Sequence, residues 1–295
     1  MFLNIYQNSE PLMRGNQSDF AGDRVFRYIP SMSAPPIVLT IAGFDPSSGA
    51  GVTADIKTIA AHNCYGVAAI TALTVQSTQG VRGVTQIDPQ VLTDSLQELT
   101  RDVKVSAVHI GMLGSGGAAS RVADFLSWAK LSNVVLDPVL VSSSGTRLLD
   151  NSGREVLVRE LLPLVDVTTP NIGEAADLTG QEVKNPEQMI LAARCLHDRG
   201  AKALVVTGGH IDPAVDVLSV SGGQIIQAFR SERLRALNTH GTGCAFSTAL
   251  ACQLALGRDL SMAVLLAKTY VLSAIRSSYS IGHGRGPVNH FPIKA

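Results

Sequence analysis

From Ile37 onward the chain repeats one pattern: a short apolar run, a polar or glycine-rich turn, then a stretch with helical periodicity. This alternation is the strongest constraint on the fold. Continuous Val/Ile/Leu-rich runs of three to nine residues suit strands buried on both faces, and helices between them supply the crossovers that parallel strands need. The runs Ile37–Ala42, Val67–Val75, Ala107–Ile110, Val134–Leu136, Val165–Thr168 and Ala203–Val206 read as such strands. Helices are expected over Val52–Asn63, Gly116–Trp128 and Ser152–Leu161. Asp88-Pro89 and Asn185-Pro186 each combine a capping side chain with a first-turn proline, and Gly200 closes the second of these helices at Arg199.

The pattern then changes. Asp216–Val220 and Gln224–Phe229 flank Ser221-Gly222-Gly223 and read as an antiparallel hairpin. Two helices follow, Thr242–Leu256 and Ser261–Ser277, and the second is apolar nearly all round, so burial is expected. The fold class is therefore α/β: a doubly wound, mostly parallel sheet with helices on both faces and an antiparallel flank. Residues 1–34 follow neither period and read as a poorly ordered tail, with Met32 a plausible natural start. Residues 35–295 read as a single domain.

Composition narrows the partners. With 45% hydrophobic residues the chain can bury a large core, and 24 Lys and Arg balance 24 Asp and Glu. Without a basic run, neither nucleic acid nor a membrane surface is suggested. The stretch Met262–Ile275 is too short to span a bilayer and carries Lys268, and the N-terminus lacks a secretion signal, so a cytoplasmic protein is expected. Cys64, Cys195, Cys244 and Cys252 form no CxxC pair, which fits reduced thiols better than zinc or a disulfide framework.

Three segments carry chemistry, and each follows a strand or opens a helix, where doubly wound sheets bind ligands. The loop from Gly43 to Gly51 lies between the first strand and first helix. Its glycines let backbone approach a ligand, although a plain connection reads the same way, and it is neither a Walker A loop nor a dinucleotide fingerprint. The segment NTHGTGC, from Asn238 to Cys244, places two glycines and free amides at a helix start, a site for an anion. There the helix dipole is expected to favour the thiolate of Cys244. Asn171 and Glu174 stand three apart at another helix start, a spacing that suits Mg²⁺ held through water but also an ordinary helix N-terminus.

In order along the chain, TIAGFDPSSGAGVTADIKT, ITALTVQSTQGV, IGMLGS, LDPVLVSSSG, TPNIGEA, VTGGH, NTHGTGC and GRGPVNHF resemble the hydroxymethylpyrimidine/phosphomethylpyrimidine kinases of thiamin biosynthesis, members of the ribokinase-like superfamily. The resemblance runs from about Ile37 to Phe291. It implies phosphorylation of 4-amino-5-hydroxymethyl-2-methylpyrimidine, then of its monophosphate, with ATP and Mg²⁺, in a homodimer. It also implies roles. Gln76 would read the aminopyrimidine edge, with Gly43, Asp55, Met112 and Val139 around the ring. Gly241, Thr242, Gly243 and Cys244 would form the catalytic anion hole, Cys244 taking the hydroxymethyl proton. Asn171, Glu174, Thr207 and Gly208 would meet the nucleotide phosphates, and Asp137 and Glu174 the metal.

A thiol, unlike the aspartate common in the superfamily, would repel an already phosphorylated acceptor less. The family often has Lys where this chain has Thr207, and Lys268 and Arg285 are candidates to supply that charge. The alternatives are a pyridoxal or pyridoxine kinase, a sugar kinase of the same superfamily, or a non-catalytic pyrimidine-binding regulator. Gln76 with Cys244 favours the pyrimidine, and the anion hole argues against the regulator.

Overall fold

A computed structural model of the chain describes residues 33–209 and 211–292, so most of the expected N-terminal tail lies outside the described residues. Among the described residues nine strands form one sheet: β1 (Ile37–Phe44), β2 (Tyr65–Ser77), β3 (Gly80–Gln86), β4 (Val105–Ile110), β5 (Val134–Leu136), β6 (Val167–Thr168), β7 (Ala203–Gly208), β8 (Ala214–Val220) and β9 (Ile225–Ser231). Their order is β3-β2-β1-β4-β5-β6-β7-β8-β9. Strands β2, β1, β4, β5, β6 and β7 run parallel, whereas β3 and the β8–β9 pair are antiparallel to their neighbours.

The helices of the described residues that pack on this sheet are α1 (Gly51–Ala61), α2 (Pro89–Asp102), α3 (Gly116–Ala129), α4 (Asn151–Val156), α5 (Ile172–Thr179), α6 (Pro186–His197), α7 (Thr242–Ala255) and α8 (Leu260–Arg276). A π-helical turn, Leu157–Leu161, extends α4. Alternate residues of each strand feed two cores. In β7, Leu204 and Val206 join the core under α2, α3 and α6, while Ala203 and Val205 join the one under α1, α7 and α8. This period of two explains why the strands read as unbroken apolar runs.

Two expectations need correction. The sheet has a second antiparallel edge, because Gly80–Gln86 turns back on β2 with Thr85 opposite Leu73. Its residues GVRGVTQ are mostly half-buried or exposed and alternate weakly, so no apolar run announces them. Helix α8 is not buried all round either. Met262 and Leu265 are 43% and 45% exposed, and the enclosed helix is α7, buried continuously from Ala245 to Cys252. Helix α7 lies between the sheet and its neighbours, and its small residues permit that close approach.

Candidate active site

The chain leaves β1 for β2 on one side and returns to β4 on the other, so a crevice opens between the carboxyl ends of β1 and β4. There lies a cleft of about 1030 Å³, enough for a nucleotide beside a small ring. The carboxyl ends of β1, β2, β4, β5, β6 and β7, or the residues just after them, all reach it: Asp45, Gln76, Met112, Asp137, Asn171 and Gly209.

Helix capping separates two elements from the rest. Helices α2, α3, α4, α5, α6 and α8 have side-chain caps from Asp88, Ser115, Asp150, Asn171, Asn185 and Asp259. Helices α1 and α7 have none, and both open onto the cleft. At α7 the Thr242 amide is bonded to the Thr239 carbonyl (3.3 Å), while the amides of Gly243 and Cys244 begin a turn with no upstream carbonyl to meet. The macrodipole adds positive potential, so the pattern suits a phosphate. Gly241 makes this possible. Its φ is +81°, and a Cβ there would overlap the Gly49 carbonyl oxygen of the first loop.

Cys244 departs from expectation. Desolvation, followed by the charges of Asp137 and Asp55, pushes its thiol well above the ordinary range, and the Gly51 amide offsets only part of this. The helix start favours thiolate, but the neighbouring carboxylates and loss of water prevail. Asp137 is itself raised to about 6, chiefly by burial, with Asp55 raising it further and His109 and Ser247 opposing. Burial and Asp137 likewise push Glu174 up. Two enclosed carboxylates that disfavour each other's ionisation make a place short of positive charge.

The NxxE spacing is a capping box. Asn171 Oδ1 accepts from the amides of Gly173 (2.9 Å) and Glu174 (3.0 Å), and Glu174 Oε2 accepts from the Asn171 amide (2.9 Å). Thr207 lines the cleft, but Gly208 is buried and does not, its amide bonding Asp216 Oδ1 at 3.0 Å. Lys268 also lines the cleft near Thr207, whose β8 partner is Asp216, yet its Nζ donates to Asp216 Oδ2 at 2.7 Å. Its charge is therefore already balanced. Arg285 is exposed at the rim, as are Arg233 and Arg235, which the sequence reading did not select.

On the acceptor side, Gly43 packs against the Met112 sulfur, and Met112, Val139 and Leu148 form an apolar wall. The Gln76 carboxamide lies 3.2 Å from His240 Nε2 and 3.1 Å from Thr74 Oγ1. His240 Nε2 is also 2.9 Å from Asp45 Oδ2, and Ser143 Oγ is 3.4 Å from its Nδ1. Burial opposes ionisation of Asp45, but bonds from His240 and Ser47 outweigh it and hold the carboxyl below its usual range.

Asp55 is fully buried beneath this floor. Its Oδ2 accepts from Thr40 (2.7 Å) and faces His109 Nδ1 (3.3 Å), and its Oδ1 accepts from Thr248 (2.9 Å). Burial opposes the His109 charge, but Asp55 and then Asp137 overcome it and raise its pKa. Asp45, His109 and His240 went unselected in the sequence. The available signals were a histidine inside an apolar strand and two polar residues within the loop motifs.

The phosphomethylpyrimidine kinase family matches residues 45–289. The chain is 41% identical over 253 residues to the thiamine biosynthesis bifunctional protein ThiED of Geobacter sulfurreducens, covering 86% of this chain and only 52% of that longer relative. It is 38% identical over 264 residues to the hydroxymethylpyrimidine/phosphomethylpyrimidine kinase of Staphylococcus aureus, covering 88% and 95%. Among solved structures, an ADP complex of Bacillus subtilis pyridoxal kinase superposes with a TM-score of 0.80 at 34% identity, covering 88% and 99%. The phosphomethylpyrimidine kinase of Clostridium difficile superposes with a TM-score of 0.72 at 35% identity, covering 81% and 99%. With an uncapped helix at the right place in the fold and a family match along nearly all of its patterned length, the chain belongs to the phosphomethylpyrimidine kinases, enzymes of the ribokinase-like fold.

Proposed function

We propose that this chain transfers the γ-phosphoryl group of ATP to the hydroxymethyl group of 4-amino-5-hydroxymethyl-2-methylpyrimidine, and then a second phosphoryl group to the resulting monophosphate, in thiamin biosynthesis. The observation that carries the reading is the uncapped start of α7 at Gly241–Cys244, facing an apolar slot closed by Gln76. Met112 and Val139 suit the faces of a flat ring. A carboxamide supplies the acceptor and donor that match a ring amino group beside a ring nitrogen. The amides of Gly243 and Cys244 stabilise charge on the transferring phosphoryl group. Arg233, Arg235 and Arg285, exposed at the cleft rim, would meet the nucleotide phosphates in the role a lysine at Thr207 would otherwise take.

Mg²⁺ fits beside Asp137 and Glu174. No cluster of three or more His, Cys, Asp or Glu among the described residues would enclose an ion, which suits a cation that keeps water and phosphate oxygens in its shell. When bound, it neutralises phosphate charge. The same carboxylates push the Cys244 thiol up, so a cation that offset their charge would favour the thiolate, the form that takes the hydroxymethyl proton as that oxygen attacks the γ-phosphorus.

Mass spectrometry of hydroxymethylpyrimidine incubated with the enzyme, ATP and Mg²⁺ is expected to show monophosphate, then diphosphate. Monophosphate that never advances would remove the second activity, and absence of both would remove the reading. A pyridoxal kinase is the second reading, favoured by the similarity to the Bacillus enzyme, and pyridoxal in the same assay measures it. No described helix is long and apolar enough to cross a membrane, and a cytoplasmic setting accords with the substrates. We also propose a homodimer. Tyr65, Leu73 and Val75 of β2 are 59%, 41% and 63% exposed, apolar surface that a second copy would cover. Light scattering is expected to give twice the chain mass of 31.0 kDa, and a monomer mass would reject the dimer.

A further inference from the structure

His240 sits where four segments meet. Its backbone pairs with Pro287, its amide donating to Gly286 O (3.1 Å) and its carbonyl accepting from Val288 N (3.2 Å). Its ring packs against Gly49, while Nε2 faces Asp45 Oδ2 and the Gln76 amide together. Asp45 is a committed acceptor: its Oδ1 takes the amide and hydroxyl of Ser47 (2.8 and 2.7 Å), and Oδ2 takes the Ala50 amide (3.0 Å). A nitrogen 2.9 Å from such an oxygen carries a proton.

Proton counting then orients Gln76. Thr74 Oγ1 donates its single proton to the Phe44 carbonyl at 2.9 Å, so toward Gln76 it can only accept. The amide atom 3.1 Å from Thr74 must therefore be the nitrogen. A protonated Nε2 has no lone pair to accept an N–H, so the atom 3.2 Å from it must be the oxygen, which shares the single Nε2 proton with Asp45 Oδ2. The two ends of the carboxamide are thereby exchanged relative to a nitrogen directed at His240, an assignment that only such counting decides. Both neighbours demand the same orientation.

This orientation has a consequence for the reaction. On a 4-aminopyrimidine, N3, the amino-bearing C4 and the hydroxymethyl-bearing C5 follow one another around the ring. Gln76 oxygen meets the amino group and its nitrogen meets N3. With the oxygen on the His240 side, the amino group lies on that side, and C5 lies further the same way. Gly241–Cys244 follow His240 directly along the chain and line the same cleft, so the His240 side of the ring is taken as the side of that loop. A reversed amide would bind the same ring edge with C5 turned away.

We propose that His240, held by Asp45, is a positioning residue that fixes the Gln76 amide so that the pyrimidine binds with its hydroxymethyl group toward the Gly241–Cys244 loop. This rests on the reading that Gln76 meets the aminopyrimidine edge. It assigns His240 a part in substrate selection that acts through Gln76 rather than by touching the reacting atoms.

The test compares hydroxymethylpyrimidine with 5-hydroxymethyl-2-methylpyrimidine, which lacks the amino group, in the His240→Leu, His240→Gln, Asp45→Asn, Thr74→Val and Gln76→Leu enzymes. KM and kcat are measured for both compounds at saturating MgATP, with the KM for MgATP as a control. The unsubstituted enzyme is expected to prefer the amino compound by roughly ten- to a hundredfold in kcat/KM, a preference that Gln76→Leu abolishes. His240→Leu should reduce it by roughly tenfold through loss of a bond and of an ordered side chain, with kcat for the amino compound also falling as inverted binding competes. His240→Gln keeps an N–H near the place of Nε2 and should restore most of it. Equal losses for both compounds in His240→Leu would overturn the proposal and make His240 a loop anchor only. If His240→Leu does not fold, Asp45→Asn decides, since it removes the acceptor that fixes the Nε2 proton; an unchanged preference there overturns the proposal, whereas Thr74→Val, with His240 in place, should keep most of the preference. A preference that survives Gln76→Leu would instead overturn the reading of Gln76 itself.

Discussion

Replacing Cys244 with alanine is expected to slow phosphorylation of the hydroxymethyl group by roughly 10²–10⁴-fold, the usual contribution of a positioned general base. Phosphorylation of the monophosphate should suffer much less, because its nucleophile is already an anion. The fold should survive, since Gly241 and the α7 amides shape the loop without help from the sulfur. Because desolvation and Asp137 hold the thiol protonated in the free enzyme, iodoacetamide should label Cys244 more slowly than an ordinary cysteine at pH 8. Single-turnover assays of the two steps, followed by mass spectrometry, check the kinetic claim. Equal losses in both steps would make Cys244 part of the anion-hole wall and nothing more.

The second large effect is expected for Asp137→Asn, and here activity and stability should move in opposite directions. Activity should fall in both steps, because one of the two carboxylates beside the phosphate site is lost. Stability should rise. The carboxyl is raised from 3.8 to about 6 in the folded chain, so between those values the folded state binds more protons than the unfolded state. Stability is therefore lost as pH climbs through that window, and above it the ionised carboxylate costs on the order of 2–3 kcal/mol. Asp137→Asn removes that cost, so the variant should be the more stable protein at pH 8, with the gain vanishing below about pH 4. Urea unfolding at both pH values measures it. A variant less stable at pH 8 would mean that the bonds of Asp137, including that from Ser247, outweigh its desolvation. The same substitution should speed iodoacetamide labelling of Cys244, since it removes the largest nearby charge that raises the thiol.

Much of this protein was legible before any coordinates. The parallel strands announced themselves because both faces are buried, and the helix starts at Asp88-Pro89 and Asn185-Pro186 because capping is a local interaction. The sequence by itself also located the loops at Gly43–Gly51 and Asn238–Cys244 and, through resemblance, the family. Strand β3 escaped because an exposed edge strand has no apolar side to declare. What only the tertiary structure decided were charges and partners between distant segments. Cys244 is two residues into a helix start, yet its proton is governed by Asp137 and Asp55, which arrive from β5 and α1. Asn171 and Glu174 spend their polar atoms on each other's backbone. Lys268 meets Asp216 across 52 residues, and Gln76 meets His240 across 164. Local order follows from neighbours in sequence, whereas pKa values and hydrogen-bond orientation depend on burial and on groups brought within 4 Å, which only the folded chain supplies.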